Sequence, residues 1–376
     1  MSTVNDFLLN LNKKLKYSKR YSSESLAKGA EDSFGSWFLT PLGNMVNMAK
    51  YLIVGAFIDT IRQLYTGVLD EGFLDMLDRV TKNDELARIN QQYPSAKLPL
   101  GEFIVSRMGK ACGYRFKLQN NEIGLVVLVG SYYHKAEKKG PHLKIECSPH
   151  FIKIHSPEIL QARLDSIARS ILHEFEYQGI AIHLAADIQG WKPGADFLER
   201  FSTYAKFVRS YIGLQTAEVG QGFSDVVAKY GNQESETITI GKPVGLQTSI
   251  YNKTKQSKVV DKVDYYQNEW KNYSLGLYDE NGPDVYRLEY RFHHSVIKDF
   301  EINGKSGFVN FLQIAPLLNY LWQYALVRNR LDLTTDVIDP VWQKFMEDVQ
   351  FSTEPPYGLV KKVKKTIYRQ LAKTFS

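Results

Sequence analysis

The sequence predicts an α+β fold: a twisted, mostly antiparallel sheet flanked by helices, with an N-terminal helical region before it and a basic C-terminal helix after it. Three observations carry this prediction. Between about residue 100 and residue 300, short runs alternate apolar and polar residues or are apolar throughout, as strands do. Other stretches repeat apolar residues at helical spacing. The chain also carries 23 Tyr and 20 Phe, residues that favour pleated structure and that suit surfaces stacking on bases.

Taken in order, residues 1–95 read as mostly helical. Gly and Pro cluster around Gly35 to Gly43, and Phe73, Leu74, Leu77 and Val80 have helical spacing. From Gly101 the pattern becomes mixed. "YRFKLQ", "GLVVLVGSYYH" and "HLKIECS" read as strands, with a turn at Gly140 between the last two. A helix follows, N-capped by Ser156 with Pro157 in its first turn. Leu160, Leu164, Ile167, Ile171 and Phe175 form its apolar stripe, and Gly179 ends it. "IAIHLAADIQGW" is a strand; Phe197, Phe201, Val208 and Ile212 mark a helix up to Gly213. "TITIGKPVGLQTSIYNK" reads strand, turn, strand, and "DVYRLEYRFHH" is a further strand. Residues 307–330 suit a buried helix, and the last 20 residues a basic amphipathic one. The resulting division is 1–95, 96–335 and 336–376.

Bulk properties narrow the class. A hydrophobic content of 44% over 376 residues can bury a sizeable core. Two cysteines, Cys112 and Cys147, are too few for a disulfide scaffold or a thiolate metal cluster, which fits a reducing cytoplasm. The N-terminus lacks the order of a signal peptide. The apolar run Tyr51 to Ile58 is too short to span a bilayer, so no membrane partner is expected. The net charge of +6 is uneven. Residues 1–30 hold six basic and two acidic residues, residues 357–376 hold six basic and none acidic, and the body between is net −4. Such ends contact polyanions or serve as solubilising tails.

Period-two alternation sorts the strand residues into faces. His183, Ala185, Asp187 and Gln189 share one face of their strand. So do Val285, Arg287, Glu289, Arg291 and His293, and Gln247, Ser249, Tyr251 and Lys253. If the three strands are neighbours, Asp187, Tyr251 and Glu289 converge. That set suits phosphodiester cleavage by a tyrosine, with Asp187 and Glu289 holding Mg²⁺ or Mn²⁺. Lys253, Arg287 and Arg291 would hold phosphates, and Tyr265 and Tyr266 are further candidate nucleophiles. Each group also has a structural role open to it: a sheet-edge Asp, a cross-strand ladder of Arg and Glu, a half-buried Tyr. The adjacent His293 and His294 are expected on opposite faces. On the C-terminal helix, Lys361, Lys362, Lys364, Lys365, Arg369 and Lys373 would contact phosphates, lie free in solvent, or face a membrane surface.

The order "HLAADIQGW", "ITIGKPVGLQTSIYNKTKQ", "YRLEYRF" resembles the replication initiation factor family, the rolling-circle initiators of plasmids and filamentous phage and the related relaxases. The similarity covers about residues 100–300. It implies that residues 96–335 form a nicking domain that cleaves and rejoins one strand of origin DNA, single-stranded or cruciform, through a covalent 5′-phosphotyrosine. By position it assigns the nucleophile to Tyr251, catalytic support to Lys253, the metal carboxylates to Asp187 and Glu289, and a basic group to Arg287. It also implies a divalent metal, a homodimer, and a host helicase and polymerase as partners. Two departures stand out: Asn252 where the family has Asp, and Ser249 where it often has a basic residue. The alternative is a non-enzymatic DNA-binding protein on the same fold, a repressor or copy-control factor. A host-interaction protein with basic tails is a third.

Overall fold

The computed structural model describes residues 26–351, apart from 84–86, 90–97, 99, 204, 206–207, 213–234 and 303, together with residues 361–362. One large sheet organises them. Its strands are β1 (Leu52–Leu69), β2 (Ala87–Ile89), β3 (Phe103–Arg107), β4 (Tyr114–Asn120), β5 (Leu125–Ser131), β6 (Gly140–Cys147), β7 (Leu172–Gln189), β8 (Val208–Ile212), β9 (Ser235–Ile240), β10 (Leu246–Asn252) and β11 (Val285–Phe292). They lie in the order β8-β9-β10-β11-β7-β1-β6-β5-β4-β3-β2, with every pairing antiparallel. With the helices α1 (Glu71–Asn83), α2 (Pro157–Ile171), α3 (Lys253–Val259), α4 (Val263–Tyr273), α5 (Leu318–Arg328) and α6 (Pro340–Glu347), the architecture is α+β.

The spine is the pair β1–β7, two strands of 18 residues each. From Ile61 to Leu69, β1 alternates buried and less buried residues at period two. One face of β7 carries Ile182, Leu184, Ala186 and Ile188 into the main core, beside Leu288, Tyr290 and Phe292 of β11. The other face carries His183, Ala185 and Asp187, also buried. A smaller cluster of Val54, Tyr266, Trp270, Tyr278 and Val285 packs apart from the main core. The main core is closed by α2, α5 and α6. Ser156 caps α2 by accepting a hydrogen bond from the Ile159 N–H, and Leu160, Leu164, Ile167 and Ile171 are fully buried. Trp322 of α5 donates to the Phe345 carbonyl at 2.9 Å and Trp342 of α6 to the Leu326 carbonyl at 3.1 Å, which pins the two helices together.

Several expectations are corrected. Residues 1–95 are not mostly helical: among the described ones α1 is a helix, but Leu52–Leu69 is a central strand and Ala30–Glu31, Trp37–Leu39 and Met45–Asn47 form a small sheet. The α2 helix stops at Ile171, not Gly179, because Leu172, Tyr177 and their neighbours pair with β1. Phe197–Arg200 is one helical turn, and Phe201–Thr203 and Val208–Ile212 are strands. Gly140 begins β6 instead of forming a turn. His293 caps the short helix His294–Lys298, so strand alternation does not reach it and the two imidazoles sit 4.0 Å apart. Lys361–Lys362 pairs as a strand with Phe300–Glu301; the rest of the expected basic helix, with Lys364, Lys365, Arg369 and Lys373, lies outside the described residues.

Candidate metal and tyrosine site

The strand order makes the predicted faces converge. In β10–β11, Ser249 lies opposite Glu289, Tyr251 opposite Arg287 and Gln247 opposite Arg291. In β7–β11, Asp187 lies opposite Arg287 and His183 opposite Arg291. Paired residues in a ladder share a face, so one polar patch forms across three strands. It floors a cleft of about 280 Å³ lined by Asp59, Ser249, Tyr251, Lys253, Glu289 and Arg291, among others.

The fourth strand adds the group that sequence reasoning missed. Thr60 of β1 pairs with His183, but the next pair is Ile58 with Leu184. Asp59 is the extra residue of a β-bulge, and bulges re-aim side chains at functional positions. Asp59, His183 and Glu289 present ligand atoms that all lie within 4.8 Å of one another. His183 Nδ1 is 3.1 Å from Glu289 Oε1. Burial holds the imidazole pKa below its ordinary value, against the pull of Glu289, which favours the neutral, metal-ligating form. Burial also pushes the Glu289 carboxyl up, but Arg291 and His183 outweigh it and hold the group well below the usual range. One imidazole nitrogen beside two carboxylate oxygens could hold a divalent transition-metal ion such as Mn²⁺, and suits it better than oxygen-preferring Mg²⁺.

Tyr251 donates its hydroxyl to Glu289 Oε2 at 3.1 Å. Burial and the Glu289 charge push its pKa well above the ordinary phenol value, so it rests protonated. Lys253 opens α3. Its ammonium donates to Gln256 Oε1 at 2.7 Å and sits 3.9 Å from the centre of the Tyr266 ring. Burial and then the Arg287 charge bring its pKa down to about 7. Arg291 grips Glu289 through Nε at 2.8 Å and also lines the cleft.

Two predicted site residues lie beneath the cleft instead of in it. Asp187, fully buried, accepts Arg287 Nε at 2.7 Å and Nη2 at 2.9 Å, and the Trp270 indole at 2.8 Å. Asp59, not Asp187, stands within 4.8 Å of His183 and Glu289 in the group that could hold a metal ion. Arg287, equally buried, also reaches Asp59 at 2.5 Å. It is not among the cleft-lining residues, and it holds Asp59 and Asp187 in place. Asn252 and Ser249, the two departures from the resembled pattern, are both buried. Asn252 caps α3 by accepting from the Lys255 N–H at 2.9 Å and donates to Asp284 at 2.7 Å. Ser249 is buried in the cleft floor with its hydroxyl unpartnered.

The fold and cleft thus define an antiparallel α+β protein with a tyrosine hydrogen-bonded to a carboxylate–imidazole set. The chain is 32% identical over 357 residues to the uncharacterized protein ORF430 of Pseudomonas phage Pf1, covering 91% of this chain and 78% of the phage protein. The chain belongs to the family of that phage protein. No protein-family model and no solved structure matches it. No described helix is long and apolar enough to cross a membrane.

Proposed function

We propose that the chain is a rolling-circle DNA replication initiator, a metal-dependent tyrosine nickase and strand transferase. The observation that carries this reading is the hydrogen bond from Tyr251 to Glu289 inside a cleft also lined by Asp59 and Lys253, with buried His183 within 4.8 Å of both carboxylates. Kinship with a phage protein is in keeping with a role on phage DNA. In this reading the Tyr251 oxygen bonds to the scissile phosphorus and the bond from phosphorus to the 3′ oxygen breaks. Glu289 accepts the hydrogen bond that orients the phenol, the phenolic proton is lost to water as the new bond forms, and Lys253 gives a proton to the departing 3′ oxygen. The DNA 5′ end is then held as a phosphotyrosine, and the free 3′-hydroxyl primes a host polymerase. Reversal rejoins the strand. Mg²⁺ or Mn²⁺ held by Asp59, His183 and Glu289 would supply positive charge to the phosphate oxygens. Lys253 and Arg291 add the protein's own cations at the cleft wall.

Supercoiled DNA from the chain's own replicon provides the test. Wild type should relax it with Mn²⁺ and not with EDTA, and Tyr251→Phe should lose at least about 100-fold in rate, as removal of a nucleophile does. Tight DNA binding without any relaxation would instead favour the non-enzymatic DNA-binding alternative.

A further inference from the structure

Beside the cleft lies a second cavity of about 400 Å³, within the range of roughly 300–1,000 Å³ typical of small-ligand pockets. The two cavities adjoin. Tyr266 and Pro149 line both, and β1 runs from one to the other, with Phe57 and Ile58 in the second and Asp59 and Thr60 in the first.

The second cavity has aromatic walls and a polar mouth. Tyr265 and Tyr266 meet edge to face at 5.1 Å, and Tyr266 packs at 6.0 Å against Trp270. These walls are anchored by the charges of the first site: Trp270 is hydrogen-bonded to Asp187, Lys253 sits over Tyr266, and Arg287 stacks 4.5 Å from the Phe57 ring centre. At the mouth, Lys153 and Glu269 form an ion pair at 2.7 Å, beside exposed Asn272. Flat apolar walls with a few donors and acceptors at one side match a nucleobase, which needs a stacking surface and partners for its edge.

Resting on the nicking reading above, we infer that this cavity takes one unpaired base of single-stranded DNA, from a nucleotide adjoining the phosphate in the cleft. The base stacks on Tyr265 and its edge meets Asn272, Glu269 and Lys153. Seating it fixes the neighbouring phosphate against Tyr251, so the pocket sets which sequence is cut.

Fluorescence anisotropy in EDTA tests this with two short single-stranded probes of equal length, one of mixed sequence and one abasic. Tyr265→Ala should weaken binding of the mixed probe by about five- to a hundredfold, the worth of one stacked base, and leave the abasic probe unchanged. Tyr265→Phe, which keeps the ring, should bind as wild type. Asn272→Ala, at an exposed position, should lose about two- to tenfold on the mixed probe only. Equal effects on both probes, or none on either, would overturn the inference. Covalent adduct formation with Mn²⁺ is scored separately. An adduct without base preference removes the pocket and leaves the nicking reading, whereas base preference without an adduct does the reverse.

Discussion

Two carboxylates on one sheet face, Asp187 and Glu289, have different work. Asp187 commits its oxygens to Arg287 and Trp270, whereas Glu289 stands with Asp59 and His183. Mn²⁺ titration followed by electron paramagnetic resonance should show at least about tenfold weaker binding for Asp59→Asn and His183→Ala and little change for Asp187→Asn. The last substitution should instead lower stability by roughly 3–5 kcal/mol in urea, because it strips a partner from a buried charge. Mn²⁺ affinity abolished by Asp187→Asn alone would reverse these roles. Lys253 gives a pH signature. Its folded pKa of about 7 lies below the ordinary 10.5. Between those values the unfolded chain binds the extra proton, so the Lys253 contribution to stability rises with pH from about 7 to about 10.5. Lys253→Met should therefore flatten that rise in urea melts at the two ends of the window; parallel curves for variant and wild type would contradict it. Strand alternation, being local, set Tyr251, Glu289 and Arg291 on one face, whereas Lys253 reaches the same cleft from the first position of α3 and not from the strand. Sequence missed Asp59 because a bulge is a property of the pair β1–β7, not of β1. His183 was within reach, sharing the Asp187 face.

Elements were legible where the local pattern agreed with the sheet. The β9–β10 hairpin, β11 and the start of α2 follow from alternation, turn residues and the Ser156 cap. They were illegible where pairing overrode local spacing. The run from Leu52 to Leu69 is rich in β-branched and aromatic residues, yet next to the periodic α1 it reads as helix. Phe175 keeps the helical spacing of α2 but is drawn into β7 by its long pairing with β1. That pairing ends at Gly190, where φ is +87° and an added Cβ would run into the Lys50 carbonyl oxygen. Gly190→Ala should cost at least about 2 kcal/mol, since both the backbone conformation and the close approach forbid a side chain. Urea unfolding measures it, and a neutral result would mean that the two long strands do not need to approach so closely at this end.

Over the whole molecule, the site exists only because residues far apart in sequence meet: Asp59, His183, Tyr251 and Glu289 come from four strands that are neighbours in the sheet and scattered along the chain. No composition or local period encodes that order, which is why the sequence supplied the candidates and not their partners. Charge is distributed on the same scale, with a body of net −4 and a C-terminal 20 residues bearing six basic groups. Substituting Lys364, Lys365 and Arg369 by Gln should reduce the salt dependence of single-strand binding by roughly 0.7 in logarithmic slope for each phosphate no longer neutralised, with Mn²⁺ affinity unchanged. An unaltered slope would mark this segment as a solubilising tail.

The most direct test of the central claim is to map the covalent bond. After reaction with single-stranded replicon DNA and Mn²⁺, nuclease and trypsin digestion followed by mass spectrometry should find a nucleotide 5′-phosphate on the peptide containing Tyr251 and nowhere else. A phosphonucleotide on Tyr265 or Tyr266, or no modified peptide from a protein that binds the DNA, would contradict the assignment of Tyr251 as nucleophile.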